Sequence, residues 1–248
     1  MTSGGPGTES RRFFFVHVQK TAGTALWRRL KQSFDARALY PGPDDGRPPE
    51  SVLVVEHLVG RWRARGSEIQ VVTGHFPLCT VELLGAPFTT LTVLRDPVER
   101  TLSALRHYRE KTPADADRTL DEIYGDPLRF ELVHNHMVKM FSLSVEEMTA
   151  GALTPVEFTP ERLARAKDGL ASVDVIGLQS CFEEFCQELT DRFGWRLGKP
   201  LMANRTRPVD VSDAFRARIA ADNAADIALY EFAVDVHRHR REQARAGR

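Results

Sequence analysis

Four short apolar segments are separated by amphipathic segments along the chain. Residues 12–18, 69–74 and 88–94 are rich in aromatic and β-branched side chains and are bounded by polar positions, which predicts buried strands. Residues 173–178 repeat the pattern. Strands that are apolar along their whole length are typical of parallel sheets covered on both faces.

The segments between these strands carry apolar residues at helical spacing. This spacing predicts helices over residues 21–33, 52–63, 97 onward, 119–124, 130–141, 160–172, after 178 to 193, and 213–240. Residues 40–50 and 194–212 are predicted as loops, the first because it is dense in proline and glycine. Alternating strands and helices predict an α/β fold with a central, mainly parallel sheet flanked by helices.

The length of the chain suits a single domain. It has 248 residues, of which 42% are hydrophobic, and this is enough to bury one core over residues 12–240. Residues 1–11 are predicted to form a disordered tail, and residues 241–248 a frayed basic tail.

Charge and composition exclude several classes of protein. There are 34 basic and 34 acidic residues, so no net charge draws the protein to nucleic acid or to an anionic membrane. The three cysteines match neither a disulfide framework nor a zinc site, and we expect no metal. No apolar segment approaches the length of a membrane span, and the first residues do not resemble a signal peptide. We therefore expect a cytoplasmic protein without an integral membrane segment.

Polar side chains follow three of the predicted strands. Lys20, His75 and Arg95 each come directly or closely after an apolar segment. Ligands of parallel α/β sheets bind at the carboxyl ends of the strands, so these three residues are expected to converge on one edge.

The segment after the first strand, VQKTAGT, is predicted to bind an anion. A turn from a strand into a helix presents unpaired backbone N–H groups, and Gly23 would allow close approach. The segment lacks the GxxxxGK[ST] pattern of nucleoside triphosphatases, and no strand ends in a carboxylate placed to hold magnesium. An ordinary surface turn between a strand and a helix is the alternative.

A second anion-binding signal lies in LRDPVERTLS. Arg95 leaves the strand, Asp96 is placed to cap the next helix, and Ser103 follows eight residues after Arg95. Asp96, Arg100 and Ser103 are expected on one helical face. An arginine with a serine hydroxyl suits an isolated phosphate, although a surface Arg–Asp–Arg cluster would have the same pattern. Together the two signals fit a nucleotide with phosphates on both sides of its ribose, such as 3′-phosphoadenosine 5′-phosphosulfate (PAPS).

At these motifs the sequence resembles the PAPS-dependent sulfotransferases, in particular the carbohydrate-type group that includes heparan sulfate 2-O-sulfotransferase and bacterial relatives. VHVQKTAGTAL and LRDPVERTLSALRHYR carry the resemblance, and TGHFPL, NHMVKM, VIGLQSCFEEF and NAADIALYEFA support it. It covers roughly residues 12–235. Gln19 stands where the group usually has proline, and Gln179 and Ser180 stand where many relatives carry an acidic residue. The resemblance implies a P-loop-like fold and an enzyme of the EC 2.8.2 type.

The resemblance also implies roles for individual residues. Lys20 would stabilise charge on the leaving nucleotide, and His75 would be the general base. Phosphate groups of PAPS would be bound by two sets of residues: the 5′-phosphate by Lys20, Thr21, Ala22, Gly23, Thr24 and Ala25, and the 3′-phosphate by Arg95 and Ser103. His17 is a further catalytic or substrate-contacting candidate, with a packed strand residue as the alternative. Asn204, Arg205 and Thr206 are candidates for a loop over the nucleotide.

The acceptor site is the least defined. Asn135, His136 and Phe76 are candidate substrate contacts, and the expected acceptor is a small sugar-bearing or lipidic molecule with a hydroxyl group. His134 and His136, two residues apart on a predicted helix, do not face one metal ligand position. Two other functions remain open: an ATP-dependent small-molecule kinase, and a module that binds 3′-phosphoadenosine 5′-phosphate (PAP) without catalysis. The sequence leaves a homodimer open.

Overall fold

A five-stranded sheet forms the centre of the computed structural model, which describes residues 11–198 and 211–246. Its strands are β1 (Phe13–Val16), β2 (Leu39–Tyr40), β3 (Val71–Gly74), β4 (Thr89–Leu94) and β5 (Val175–Leu178). They lie in the order β2-β3-β1-β4-β5, and every neighbouring pair is parallel. The predicted parallel α/β fold is confirmed. Strand β2 was not predicted, because two residues are too short to show a period.

Helices cover both faces of the sheet. They are α1 (Gly23–Ser33), α2 (Glu50–Leu53), α3 (Val55–Arg65), α4 (Thr80–Leu84), α5 (Pro97–Lys111), α6 (Leu120–Tyr124), α7 (Pro127–Val133), α8 (His136–Ser142), α9 (Pro160–Ala171), α10 (Phe182–Phe193), α11 (Asp213–Asp222) and α12 (Ala224–Ala246). No helix within the two described ranges is both long and apolar enough to span a bilayer.

The apolar residues of β1 belong to two separate cores, because successive strand residues point to opposite faces. Phe14 and Val16 pack with side chains of α3, α8, α9 and α12. Phe13 and Phe15 pack with those of α1 and α10 on the other face. The central strand is therefore buried on both sides, which explains why its sequence shows no polar alternation.

Two predicted helices are each interrupted at an asparagine. The single helix predicted over residues 130–141 is wrong: α7 ends at Val133, Asn135 adopts a left-handed φ of 42°, and α8 begins at His136. The helix predicted over residues 213–240 likewise divides at Asn223 into α11 and α12. Asparagine tolerates such backbone and can bond nearby backbone groups, so it often ends helices.

The last helix continues beyond its predicted end. α12 runs to Ala246, so part of the predicted frayed tail is helical. His237 Nδ1 lies 3.0 Å from the carbonyl oxygen of Ile176 in β5. The Arg240 guanidinium donates to the carbonyls of Val173 and Ala171 at 2.7 and 2.8 Å. These contacts hold α12 against the edge strand.

One buried carboxylate organises the loop after β2. Asp45 is fully buried and accepts hydrogen bonds from the Arg61 and Arg65 side chains, at 2.8 and 2.9 Å, and from the Gly42 backbone N–H at 2.7 Å. Burial acts to raise the pKa of Asp45, but these hydrogen bonds outweigh it and lower the pKa to about 2. The carboxylate is therefore charged at neutral pH and joins the loop to α3.

Candidate active site

The loop between β1 and α1 is shaped to receive an anion. Lys20 and Ala22 have positive φ values of 66° and 77°, so the chain turns sharply before α1 begins at Gly23. Ala22, the residue that precedes the helix, has no side chain that could cap it, and the first turn contains no acidic residue. Successive N–H groups in such a turn form an anion-binding concavity.

Backbone donors are left free in this loop. Within the described residues, no hydrogen bond engages the N–H groups of Ala22, Gly23 or Thr24. The N–H of Ala25 already donates to the Ala22 carbonyl at 2.9 Å, and the buried Thr21 hydroxyl donates to the Val18 carbonyl at 2.8 Å. Three N–H groups are therefore available to a ligand, whereas the Thr21 hydroxyl and the Ala25 N–H stabilise the loop itself.

Lys20 lies at the edge of this concavity and is partly exposed. Burial lowers the pKa of its amine, and the nearby Arg95 cation lowers it further. The Arg95 guanidinium donates to the Lys20 carbonyl at 3.3 Å, so the end of β4 supports the loop after β1. Two cations held this close together favour a ligand that carries negative charge.

Two histidines lie next to the loop. His75 follows β3, and its Nδ1 atom lies 2.8 Å from the backbone carbonyl oxygen of His17. A carbonyl can only accept, so Nδ1 carries the proton and Nε2 presents its lone pair. The rings of His17 and His75 lie 4.3 Å apart. The structure therefore gives His75 the tautomer that a base needs.

Both imidazoles are held neutral. Burial lowers the pKa of His75, and Lys20 adds to this effect, although the hydrogen bond to His17 opposes it. Burial also lowers the pKa of His17 well below its usual range, with smaller contributions from His75 and Lys20. A neutral imidazole at neutral pH can accept a proton.

The absence of a side chain at Gly23 leaves room for the His17 ring. A Cβ added to Gly23 would lie 1.9 Å from His17 Nε2 and 2.0 Å from Cδ2. No side chain fits there unless the ring moves, because real Cβ atoms essentially never come closer than about 3 Å to another heavy atom. The glycine thus joins the start of α1 to the histidine pair.

The second predicted anion site lies on α5. Asp96 caps the helix by accepting from the Glu99 N–H at 2.9 Å, as predicted. The Arg95 side chain is about one-fifth exposed at 22%, and it lies 3.8 Å from the Glu99 carboxylate. Ser103 is only 8% exposed, on the same helix.

Arg106 was not predicted and belongs with these residues. It lies one turn after Ser103 on α5, and its cation adds to the lowering of the Arg95 pKa that burial causes. In the described part of the chain, the buried Nε atoms of both Arg95 and Arg106 have no hydrogen-bond partner. The sequence offered one signal for Arg106, its position three residues after Ser103 on the same helix. With 28 arginines in the chain, that spacing is weak evidence for a site.

Arg100 does not lie with them. It is fully buried, donates to the Val133 carbonyl, and lies 3.6 Å from the buried Asp226 carboxylate. The expectation that Asp96, Arg100 and Ser103 share a ligand-facing surface is therefore wrong for Arg100. Its guanidinium instead pairs with a buried carboxylate beneath α8.

The motifs NHMVKM and NAADIALYEFA meet in a buried polar junction. The Asn135 N–H donates to Asn223 Oδ1, and the Asp226 N–H donates to Asn135 Oδ1, both at 2.9 Å. The Asp226 carboxylate accepts from the N–H groups of Met137 and Val138 at the start of α8. Asn135, only 4% exposed, therefore holds the helices together, and this contradicts its prediction as a substrate contact.

The two other acceptor candidates are also buried. Phe76 has no exposed surface and packs in the core, so it cannot touch an acceptor in this structure. His136 is 1% exposed and its Nε2 atom has no partner among the described residues. Burial lowers its pKa well below the usual range, and Arg100 and His75 contribute. His136 is thus a neutral residue behind the His17–His75 pair.

Further predicted features lie elsewhere or cannot be placed. Asn204, Arg205 and Thr206 lie outside the described residues. His134 follows the end of α7 and His136 begins α8, so they do not share one helix. Within residues 11–198 and 211–246, no group of histidine, cysteine or carboxylate side chains is arranged to hold a metal ion.

Two curated proteins are similar to the chain along most of its length. Heparan-sulfate 6-O-sulfotransferase 3-B of Danio rerio is 28% identical over 266 aligned residues, covering 90% of this chain and 62% of the relative. Heparan-sulfate 6-O-sulfotransferase 1 of Homo sapiens is 27% identical, covering 93% of this chain and 66% of the relative. The chain is related to the sulfotransferases. It spans about two thirds of the length of these curated relatives, and no family model matches it.

A solved structure shows the same fold. The crystal structure of a sulfotransferase from Alicyclobacillus acidocaldarius aligns with a TM-score of 0.50 and 17% identity, over 92% of this chain and 96% of that one. The resemblance to the sulfotransferases predicted from the sequence is confirmed, and so is the P-loop-like α/β fold.

Proposed function

We propose that the protein is a sulfotransferase that moves the sulfuryl group of PAPS to a hydroxyl of a sugar-bearing acceptor. The observation that carries the proposal is that Lys20 and the uncapped start of α1 lie beside a neutral His75, whose Nε2 lone pair meets no donor among the described residues. The names of the curated relatives support a carbohydrate acceptor, because both act on heparan sulfate.

The donor binds through both anion sites of this proposal. The free N–H groups of Ala22, Gly23 and Thr24 bind the 5′-phosphate, and Lys20 adds a charge at its edge. Arg95, Ser103 and Arg106 bind the 3′-phosphate. The guanidinium groups are half-buried and their Nε atoms have no partner in the described part of the chain, so an entering phosphate gains strong charge-assisted hydrogen bonds.

The transfer step follows from these positions. Nε2 of His75 takes the proton of the acceptor hydroxyl, and the acceptor oxygen forms a bond to sulfur. The bond between sulfur and the bridging phosphate oxygen breaks, and PAP leaves with the negative charge. Lys20 stabilises that charge, which grows as the reaction proceeds. The products are a sulfate ester, PAP and a protonated His75.

His17 acts on the base and has no proton-transfer role of its own in this proposal. Its backbone carbonyl fixes the His75 tautomer and its ring stands beside His75 at 4.3 Å. It is a positioning residue, because its carbonyl and its ring both contact the imidazole of His75.

Nucleotide binding and group transfer test the proposal separately. PAP should bind at least about tenfold more tightly than ADP or Mg-ATP by calorimetry, since only PAP has a 3′-phosphate for Arg95. Radiolabelled sulfate should move from PAPS to a desulfated uronate-containing polysaccharide or to small glycosides. His75→Asn should abolish transfer and keep PAP affinity, whereas the exposed control His239→Asn should change neither.

Two outcomes contradict the proposal. Equal affinity for PAP and ADP, with phosphate transfer from Mg-ATP, would support a kinase. Tight PAP binding with no sulfuryl transfer to any acceptor would support a non-catalytic module that binds PAP, and unchanged transfer in His75→Asn would show that His75 is not the base.

A further inference from the structure

A pocket lies at the opposite edge of the sheet from the proposed active site. Its volume is about 550 Å³, within the range of small-molecule sites. Its walls come from four parts of the chain: the start of β1, the end of α1, the residue before β3, and the end of α10 with the segment that follows it. These are the amino ends of the central strands, where the catalytic residues do not reach.

An aromatic cluster forms the floor of the pocket. Trp195 contacts Phe13, Phe34 and Phe193, with ring centroids 4.7, 5.2 and 5.7 Å apart. Phe13 and Trp195 are almost fully buried, so the cluster is fixed by packing. A flat apolar group could therefore stack here without rearrangement of the floor.

The rim of the pocket is cationic. Arg11, Arg192 and Arg196 line it, and none of the described residues that line it is acidic. Arg192 pairs with Glu188, whereas Arg11 and Arg196 form no ion pair with any described carboxylate. The Arg11 guanidinium lies 5.5 Å from the centre of the Phe193 ring, and in this position its N–H groups can donate hydrogen bonds to an anion.

A buried hydroxyl adds a further donor. Ser33 lines the same pocket, and its Oγ atom is buried and has no partner within the described residues. Burying a hydroxyl without a hydrogen bond costs free energy, so a ligand oxygen that reaches it would be favoured. Gln32 and Gln70 also line the pocket.

We infer that this pocket binds a small organic anion with a flat apolar body, such as an aromatic carboxylate, sulfonate or sulfate ester. The body packs against the aromatic floor, and the anionic group meets Arg11 and Arg196 at the rim. The inference does not rest on the proposed function. The pocket and the nucleotide loop lie at opposite ends of helix α1, whose 11 residues span about 16 Å.

A matched pair of fluorescent probes tests the inference on the full chain. Anilinonaphthalene sulfonate carries an aromatic body and a negative charge, whereas phenylnaphthylamine has the same body without the charge. The sulfonate should bind the folded protein saturably and remain bound when PAP is added in excess. The neutral probe should bind more weakly.

Substitutions locate the binding. Arg11→Gln combined with Arg196→Gln should weaken the sulfonate by about threefold to thirtyfold, as expected for two exposed charge contacts, and leave the neutral probe unchanged. Gln70→Glu, which adds a negative charge to the wall, should have the same selective effect. The control pair Arg47→Gln and Arg63→Gln, exposed but outside the pocket, should have none.

Three results overturn the inference. The first is no saturable binding of the sulfonate to the native protein, as expected if another part of the chain fills the pocket. The second is equal binding by the rim variants, by Gln70→Glu and by the control pair. The third is displacement of the sulfonate by PAP, which would place the probe in the nucleotide site instead.

Discussion

Replacing Gly23 with alanine would drive a methyl group into the imidazole of His17. The new Cβ would lie 1.9 Å from Nε2 and 2.5 Å from Cε1, and ordinary contact begins near 3.4 Å. The ring must therefore move by about 1.5 Å, the difference between these distances. His75 lies on one side of it with ring centroids 4.3 Å apart, so the displacement reaches the base.

The expected effect is large on turnover and small on stability. A misplacement of about 1 Å in a catalytic group can reduce the rate by about a hundredfold, so kcat should fall by roughly that factor. Forcing a methyl into packed surroundings costs about 1–3 kcal/mol, while exchanging glycine for alanine in a helix returns up to about 1 kcal/mol. The net free energy of unfolding should fall by no more than about 3 kcal/mol.

Three measurements separate these effects. Steady-state transfer from PAPS gives kcat, calorimetry with PAP gives donor affinity, and thermal unfolding gives stability. PAP affinity should stay within about threefold of the original, because the methyl points to His17 and the free N–H groups remain. Gly60→Ala is the control: an added Cβ there meets nothing within 4 Å, so it should stabilise α3 without changing kcat.

Unchanged kcat in the Gly23→Ala variant would refute the reasoning, since the position of the His17 ring would then not matter to the base. The double substitution Gly23→Ala with His17→Ala removes the clash. It should therefore have a kcat no lower than that of His17→Ala alone, and a further loss would mean that the alanine acts on the phosphate loop itself.

Three further predictions follow from the described contacts. Because burial lowers the pKa of His75 from its usual 6.5, kcat/KM should stay constant as pH falls to about 6.5 and decline only below it, which a pH–rate profile measures. Arg106→Met should weaken PAP by about tenfold and leave AMP affinity unchanged in calorimetry, whereas Arg109→Met on the same helix should change neither. Because the pKa of Asp45 is lowered to about 2, its charged carboxylate stabilises the fold above pH 4, and this stabilisation is lost as pH falls towards 2. Asp45→Asn should therefore lower the free energy of unfolding by about 2 kcal/mol at pH 7 and flatten its dependence on acid pH in denaturant titrations. The exposed control Asp44→Asn should do neither.

The residues at the carboxyl edge of the sheet could be predicted from the sequence better than the contacts of the helices packed behind that edge. The apolar segments ending near Lys20, His75 and Arg95 could be found because buried parallel strands are apolar throughout. Their side chains meet because parallel strands end at one edge. The His17 carbonyl that orients His75 could not be predicted, since a contact across 58 residues leaves no local pattern.

Arg100 and Asn135 show why the rest could not be predicted. Both are polar residues in segments that resemble a surface, yet both are buried because residues of α11 and α12 supply their partners. Helical spacing shows which residues share a face, but it does not show what covers that face. The nucleotide-binding role of Asn204 and its neighbours stays a prediction. So do the cytoplasmic location of the protein and a homodimer.

The junction around Asn135 also has a consequence for the order in which the chain becomes structured. Asn135 and Asn223 are 88 residues apart, and Asp226 lies 91 residues beyond Asn135. During synthesis, the strands and the nucleotide loop leave the ribosome long before the side chains that fix the start of α8. A nascent chain can therefore acquire its phosphate loop early, but the helix behind the histidines is locked only after α12 has been made.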